Sequence, residues 1–420
     1  MSLKMFKSKT QIFCLFLFWA FSSQVYAKKE APLLLRGFVK SAVTTTNKPL
    51  LYRENASSTP NYYNSAVVGV NASRKVSKDA EAVLQFIAEG DDFDYQLKMD
   101  LAFLKLKLNN NFNLRFGLQK APIWLFSDYI DIGLAYPWVD PPDELYNMNP
   151  IGNFSGLSIV YERELSETLN FLFEPFLGGI SEHYEQPMFD ETTKVKGRIN
   201  LGVYFALVHD LFTFRSSFAE GRISADNFGI EDWKLHFWSA GINSQWKSLI
   251  FIAEYAQVQE VGTGENKTES LRKLEQEERV LGELIQSVTP IPPETSEIAP
   301  FVIPDIQKNL ALIQQGKDLY ASTAIGHKAY YATLGYQWKK FTPHLTFAKL
   351  MAPQSELVVG GDQSSIKTGV RYDLDDDIAL KGEVHFVNIP EGGKGLYSTA
   401  DSGIDIRYTR ILRLGVDLVF

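Results

Sequence analysis

The 420-residue sequence predicts an all-β chain, a transmembrane antiparallel β-barrel of about sixteen strands. Three observations predict it. Apolar and polar residues alternate in segment after segment, with hardly a helical period between them. Past the N-terminal segment no apolar run is long enough to cross a bilayer as a helix, yet aromatics make up 13% of the chain and mean hydropathy is −0.13. A wall that turns half its side chains to lipid and half to an aqueous lumen has that profile. Finally, tight turns rich in Asn, Asp, Ser and Lys alternate with longer connections, as they do when short turns line one rim of a barrel and loops the other.

The elements follow in order. Lys4, Lys7 and Lys9 precede an apolar run, Ile12 to Phe21, and Val25-Tyr26-Ala27 offers a cleavage site. Residues 1–27 therefore read as a secretory signal peptide, and 28–420 as the barrel. The single cysteine, Cys14, falls inside the apolar run, so the exported chain uses neither disulfides nor thiolate metal sites. Strands are expected at 35–43, 64–76, 80–89, 95–103, 112–118, 154–163, 169–179, 199–207, 212–219, 236–247, 249–259, 330–338, 341–349, 366–372, 378–386 and 404–420. Tyr95, Trp246, Tyr255, Tyr330, Trp338 and Tyr372 lie near strand ends, where interfacial aromatics belong.

The chain ends "ILRLGVDLVF". Leu412, Leu414, Val416, Leu418 and Phe420 share one face; Arg413, Gly415 and Asp417 share the other. This resembles the C-terminal strand of Gram-negative outer-membrane barrels. The resemblance implies that Phe420, Leu418 and Val416 form an assembly signal read by the barrel-assembly machinery, and that the protein resides in the outer membrane.

One connection breaks the pattern. From Lys120 to Asn153 the chain turns acidic, aromatic and proline-rich. Asp128, Asp131, Asp140, Asp143 and Glu144 cluster on it; Trp124, Phe126, Tyr129, Tyr136 and Trp138 could pin it to a wall; Pro137, Pro141 and Pro142 stiffen it. By alternation Lys98, Arg115, Arg198, Arg215, Lys367, Arg371, Lys381, Arg407 and Arg413 point into the lumen. Opposed rows of charge would set up a transverse field there; a solvated acidic surface loop is the alternative.

The passage "RFGLQKAPIWLFSDYIDIGLAYPWVDPPDELY" carries a second resemblance, to the sixteen-stranded diffusion porins of the Gram-negative outer-membrane porin superfamily. In that family the third loop folds inward and narrows the lumen, so residues 120–153 would be a constriction loop. The resemblance implies passive diffusion of small polar or charged solutes, contact with outer-membrane lipid and lipopolysaccharide, and a homotrimer.

The sequence departs from that family between 260 and 328. "TESLRKLEQEERVLGELIQSV" has helical spacing, "TPIPPETSEIAPFVIP" is proline-rich, and "DIQKNLALIQQGKDLY" reads as a second short helix. This insert could be a lid, a surface interaction or adhesion module, or a mobile appendage; with it the protein would be a gated specific channel or an adhesin. Other classes fit poorly. The balance is acidic, net charge −8, which argues against nucleic acid. The six histidines are scattered, and neither G-x-S-x-G nor H-E-x-x-H occurs, so no catalytic site, cofactor or metal site is read.

Overall fold

The computed structural model describes residues 31–420 apart from 54–55, 63–65, 92–93, 149–151, 187–190, 226–229, 262–266, 353–360, 392, 394, 398–403 and most of 289–325. The expected signal segment lies outside the described residues, and so does most of the second helix expected at 305–320.

Sixteen antiparallel strands close into one barrel, each paired with its sequence neighbours and the first with the last. They are β1 (Leu34–Thr46), β2 (Val67–Lys75), β3 (Ala80–Asp91), β4 (Asp94–Lys107), β5 (Phe112–Lys120), β6 (Asn153–Ser166), β7 (Leu169–Gln186), β8 (Glu191–His209), β9 (Phe212–Ala225), β10 (Ile230–Trp246), β11 (Leu249–Glu260), β12 (Lys328–Tyr336), β13 (Phe341–Met351), β14 (Gln363–Asp373), β15 (Ile378–Asn388) and β16 (Tyr408–Val419). Closure leaves no unpaired strand edge, the condition for a sheet in hydrocarbon. At the seam Gly37 and Phe420 exchange two backbone hydrogen bonds, of 2.7 and 2.9 Å. The terminal ring lies over Gly37, where any Cβ would strike it.

Alternation produces the two faces. On β12, Tyr330, Leu334 and Tyr336 point outward and are exposed, while Ala329, Tyr331 and Thr333 point inward and are buried. The same holds on β16, where Leu412, Leu414 and Val416 face out and Ile411, Arg413 and Asp417 face in. An outer belt of exposed Leu, Val and Phe is stable only in a bilayer. Trp246 and Trp338 mark its short-turn rim, Tyr330 and Tyr408 its opposite rim.

The second rim differs from expectation in one respect. Three of its connections, at 92–93, 187–190 and 226–229, are brief. The strands lengthen instead: β7 has 18 residues, β8 has 19 and β10 has 17, against the ~10 that cross a bilayer.

Two β-bulges change which residues face the lumen. On β8 the register shifts between Ile199 and Leu201. The extra residue, Asn200, flips the alternation, so buried Ile199 faces inward and exposed Arg198 faces out. The expectation for Arg198 is thereby corrected. On β4, Asp100 falls between Met99, opposite Phe86, and Leu101, opposite Gln85. Asp100 is turned inward and buried, and Leu101 and Phe103 follow it to the lumen face.

Candidate functional site

The connection between β5 and β6 lies inside the barrel. Two 3₁₀ turns, Ser127–Tyr129 and Gly133–Ala135, and a one-turn helix, α1 (Asp143–Tyr146), carry it across the lumen. Pro142 directly precedes α1, where its fixed φ suits a helix entry.

Aromatic packing seats the loop. Trp124, Phe126, Tyr136 and Trp138 are all at most 2% exposed. Phe126 meets Tyr129, Tyr136 and Trp138 edge-on at 5.6–5.9 Å. Trp138 meets the wall residue Tyr331 the same way at 5.6 Å, and its Nε1–H donates to Thr346 Oγ1 at 2.8 Å.

The loop backbone is held just as closely. Ser217 and Ser239 hydroxyls both donate to the Ile123 carbonyl at 2.5 Å. Glu254 accepts from the Leu125 N–H at 2.6 Å, from Tyr146 at 2.8 Å and from Tyr331 at 3.2 Å. Lys381 Nζ donates to the carbonyls of Gly133, Tyr136 and Trp138 at 2.6–2.9 Å and pairs with Asp417 at 2.7 Å. Arg371 reaches the Leu134 carbonyl at 2.7 Å and Lys367 that of Asp140 at 2.8 Å. At Gly133 the chain passes so close to Asp417 that a Cβ would strike its carboxylate.

The carboxylates divide into two groups. Asp140, Asp143 and Glu144 are locked into the wall. Asp140 pairs with Lys40 at 2.5 Å and lies 3.6 Å from Arg413 Nε. Asp143, fully buried, pairs with Arg413 at 2.8 Å and with Arg53, and has His385 at 3.4 Å. Glu144 accepts from Gln363 at 2.7 Å, with His385 beside it at 3.8 Å. Asp131 and Asp128 lie on the other side. Asp131 shares Lys120 with Asp100, at 2.8 and 2.7 Å. Asp128 pairs with Arg215 at 3.0 Å and stays 42% exposed. Arg215 also stacks between Tyr129 and Tyr204, at 5.3 and 5.5 Å from their ring centres.

Alternation thus brings Arg215, Lys367, Arg371, Lys381 and Arg413 to the loop, but not as a row facing it across water. They touch it, and four of them, Arg215, Lys367, Arg371 and Lys381, donate to its carbonyls. Arg115 instead pairs with Glu174 at 3.4 Å, and Lys98 with Glu89 at 2.5 Å. Arg407 is corrected as well: it precedes β16 and pairs with Asp405 at 2.9 Å in the open. Lys40, Arg53, Lys120 and Glu254 were not among the sequence candidates. Lys40 stands in the same inward file of β1 as Ala42 and Thr44, so alternation alone could have added it.

Electrostatics keep the lock charged. Burial pushes the Asp140 carboxyl up, but the Lys40 ammonium and Arg413 guanidinium outweigh it and hold the group well below the usual carboxylate range. Burial likewise opposes ionisation of Asp143, and Arg413 and Arg53 reverse it. Glu144 is also lowered, burial being outweighed by His385. Groups depressed in this way contribute full stability above the ordinary carboxylate pKa of about 4. They lose it only as pH falls through their lower folded-state values. These three ion pairs should therefore hold from neutral pH down to about 4 and fail only in stronger acid, read as a rise in conductance; a rise between about pH 5 and 7 that Asp140→Asn abolishes would contradict this.

No family model matches the sequence, and no curated protein matches it. Solved structures do. OmpF of Salmonella typhi, in complex with daunomycin, aligns over 94% of this chain and 99% of its own, with 13% identity and a TM-score of 0.55. The anion-selective porin of Comamonas acidovorans aligns over 93% and 100%, with 12% identity and a TM-score of 0.52. The trimer form of OmpT, an outer-membrane protein of Vibrio cholerae, aligns over 93% and 100%, with 11% identity and a TM-score of 0.50. At these identities the likeness is one of fold, and the fold is that of the sixteen-stranded outer-membrane porins.

Proposed function

We propose that the protein is a passive channel of the outer membrane, carrying small polar or charged solutes through a water-filled lumen. The observation that carries this reading is the seated loop. A barrel of sixteen strands encloses an aqueous interior unless something fills it, and here a rigid, many-fold anchored segment narrows it. The exposed apolar belt supports a bilayer setting, with lipid and lipopolysaccharide around it. The fold shared with the trimer form of OmpT supports a homotrimer.

Purified protein in a planar bilayer tests the reading. Discrete conductance steps, with a reversal potential set by the salt gradient, are expected; no steps in any salt would overturn it.

The insert at 260–328 bears on a second reading, a surface interaction role. Its helix, α2 (Lys267–Val288), leaves Val280 and Leu284 exposed, 56% and 43%. A lid seated in the lumen would bury such residues. Deleting Glu265–Tyr320 should leave single-channel conductance unchanged, and a rise would establish the insert as a lid.

A further inference from the structure

We infer that the conducting path follows the β2–β5 wall, and that Arg115 and Asp128, rather than the locked carboxylates, set its ion selectivity. The inference rests on the channel reading above.

The lumen is not closed evenly. On β12, β13 and β15 every inward position is buried, from one rim to the other. Tyr331, Thr333, His344, Thr346, Lys381 and His385 are at most 4% exposed. Three loops stopper this sector. The lumen loop fills it at mid-height. The β1–β2 loop brings in Tyr52, buried and bonded through its hydroxyl to Gln363 at 2.8 Å, together with Arg53, which reaches Asp143. The β15–β16 loop brings in Tyr397, edge-on to Tyr52 at 5.3 Å. Arg53 takes a left-handed conformation, φ 53°, which turns the loop down toward α1. Apolar packing of Tyr52, Ala56, Val387, Ile389, Tyr397 and Ile406 completes the stopper.

The opposite sector is different. Asn71, Ser73, Val83, Leu101, Phe103 and Arg115 face inward on β2–β5 and are only half-buried. Water-accessible charges stand toward both rims and between them on this side, over inward wall positions Gln85, Ile87, Asp100 and Gln119 that are themselves buried. Glu89 and Lys98 sit toward the long-loop end, 35% and 52% exposed. Arg115, opposite Lys105 in the ladder, and Asp128, on the lumen loop against Arg215 of β9, are 32% and 42% exposed, with Glu174 within electrostatic reach of both. Glu81 and Lys105 stand opposite each other toward the short turns.

Position decides which charges act on a passing ion. Asp140, Asp143, Lys40 and Arg413 are in contact and cancel, and their side chains are largely shielded, 18, 0, 10 and 3% exposed. Arg115 and Asp128 are less tightly compensated and lie on the wetted side, where a narrow, low-dielectric wall focuses their field.

Cysteine accessibility tests this cleanly, because the only native cysteine is Cys14, in the expected signal segment. Asn71→Cys and Arg115→Cys should each show a stepwise current change when a charged methanethiosulfonate reagent is added to the bilayer. Ala329→Cys and Ala348→Cys, inward on the closed wall at 0% and 1% exposure, should show none. Arg115→Gln and Asp128→Asn should shift the reversal potential in opposite directions. Heat-modifiable gel mobility checks that each variant is a folded barrel. Block at Ala329→Cys and Ala348→Cys, or silence at both Asn71→Cys and Arg115→Cys in a conducting channel, overturns the inference. A wild type without conductance steps would instead remove the channel reading itself.

Discussion

Replacing Arg413 with leucine should unseat the lumen loop, raising both the conductance and its noise and lowering the temperature at which the barrel unfolds. Arg413 is 2% exposed. Its Nη2 donates to Asp143 at 2.8 Å, and its Nε lies 3.6 Å from Asp140. The substitution removes one of the two guanidiniums that hold Asp143 and leaves Arg53 as its only paired arginine, in a site without water. Fully stranding a buried charge costs about 3–5 kcal/mol; with Arg53 retained the loss is a part of that, still a large share of the stability margin of a domain. Two outcomes can relieve that cost: the loop leaves the wall, or Asp143 takes up a proton. Acid should therefore partly rescue Arg413→Leu, at a pH where the ion pairs of the wild type still hold. Removing both charges, Arg413→Leu with Asp143→Leu, should restore much of the stability, because a buried ion pair and an apolar pair of similar volume are often equivalent. Wild-type conductance and wild-type unfolding in the single variant would show that the ion pairs do not hold the loop.

Those contacts explain how much the sequence could reveal. The barrel was legible because period-two alternation is local: Leu334 and Thr333 on β12 declare their faces from their neighbours alone. The strand count followed from the same pattern; the lumen position of the 120–153 loop followed only from the resemblance to the diffusion porins. Arg198 was misplaced because one extra residue, Asn200, inverts every side chain beyond it, and nothing in the local composition marks a bulge. The pairing of loop and wall was illegible for another reason. Which cation meets which carboxylate depends on the stagger of strands hundreds of residues apart, as with Arg413 and Asp143, separated by 270 positions. Charge of the right sign in the lumen was predictable; whether it would oppose the loop across water or lock onto it was not. Arg53 shows the limit most clearly, since it comes from a loop with no period at all and acts only because its backbone turns left-handed.

Replacing Trp138 with alanine should have the larger effect of the two, and one that neither salt nor pH can modify. Buried ion pairs return little net stability, since the attraction mostly repays desolvation. Aromatic burial has no such debt: removing a fully buried Trp costs about 3–5 kcal/mol. Trp138 is 0% exposed and packs at once against Phe126, Tyr136 and Tyr331. Its Nε1–H also satisfies Thr346, which itself bonds Thr333 at 2.8 Å. The alanine variant would open a cavity between loop and wall that the surrounding strands cannot collapse into, because each is fixed by its ladder on both sides. Single-channel recording of Trp138→Ala should show a wider and noisier channel at every pH and ionic strength. Arg413→Leu should approach the wild type as acid neutralises Asp143, left with Arg53 alone. If Trp138→Ala conducts like the wild type while Arg413→Leu does not, the loop is held by charge, and the ranking of the two forces is reversed.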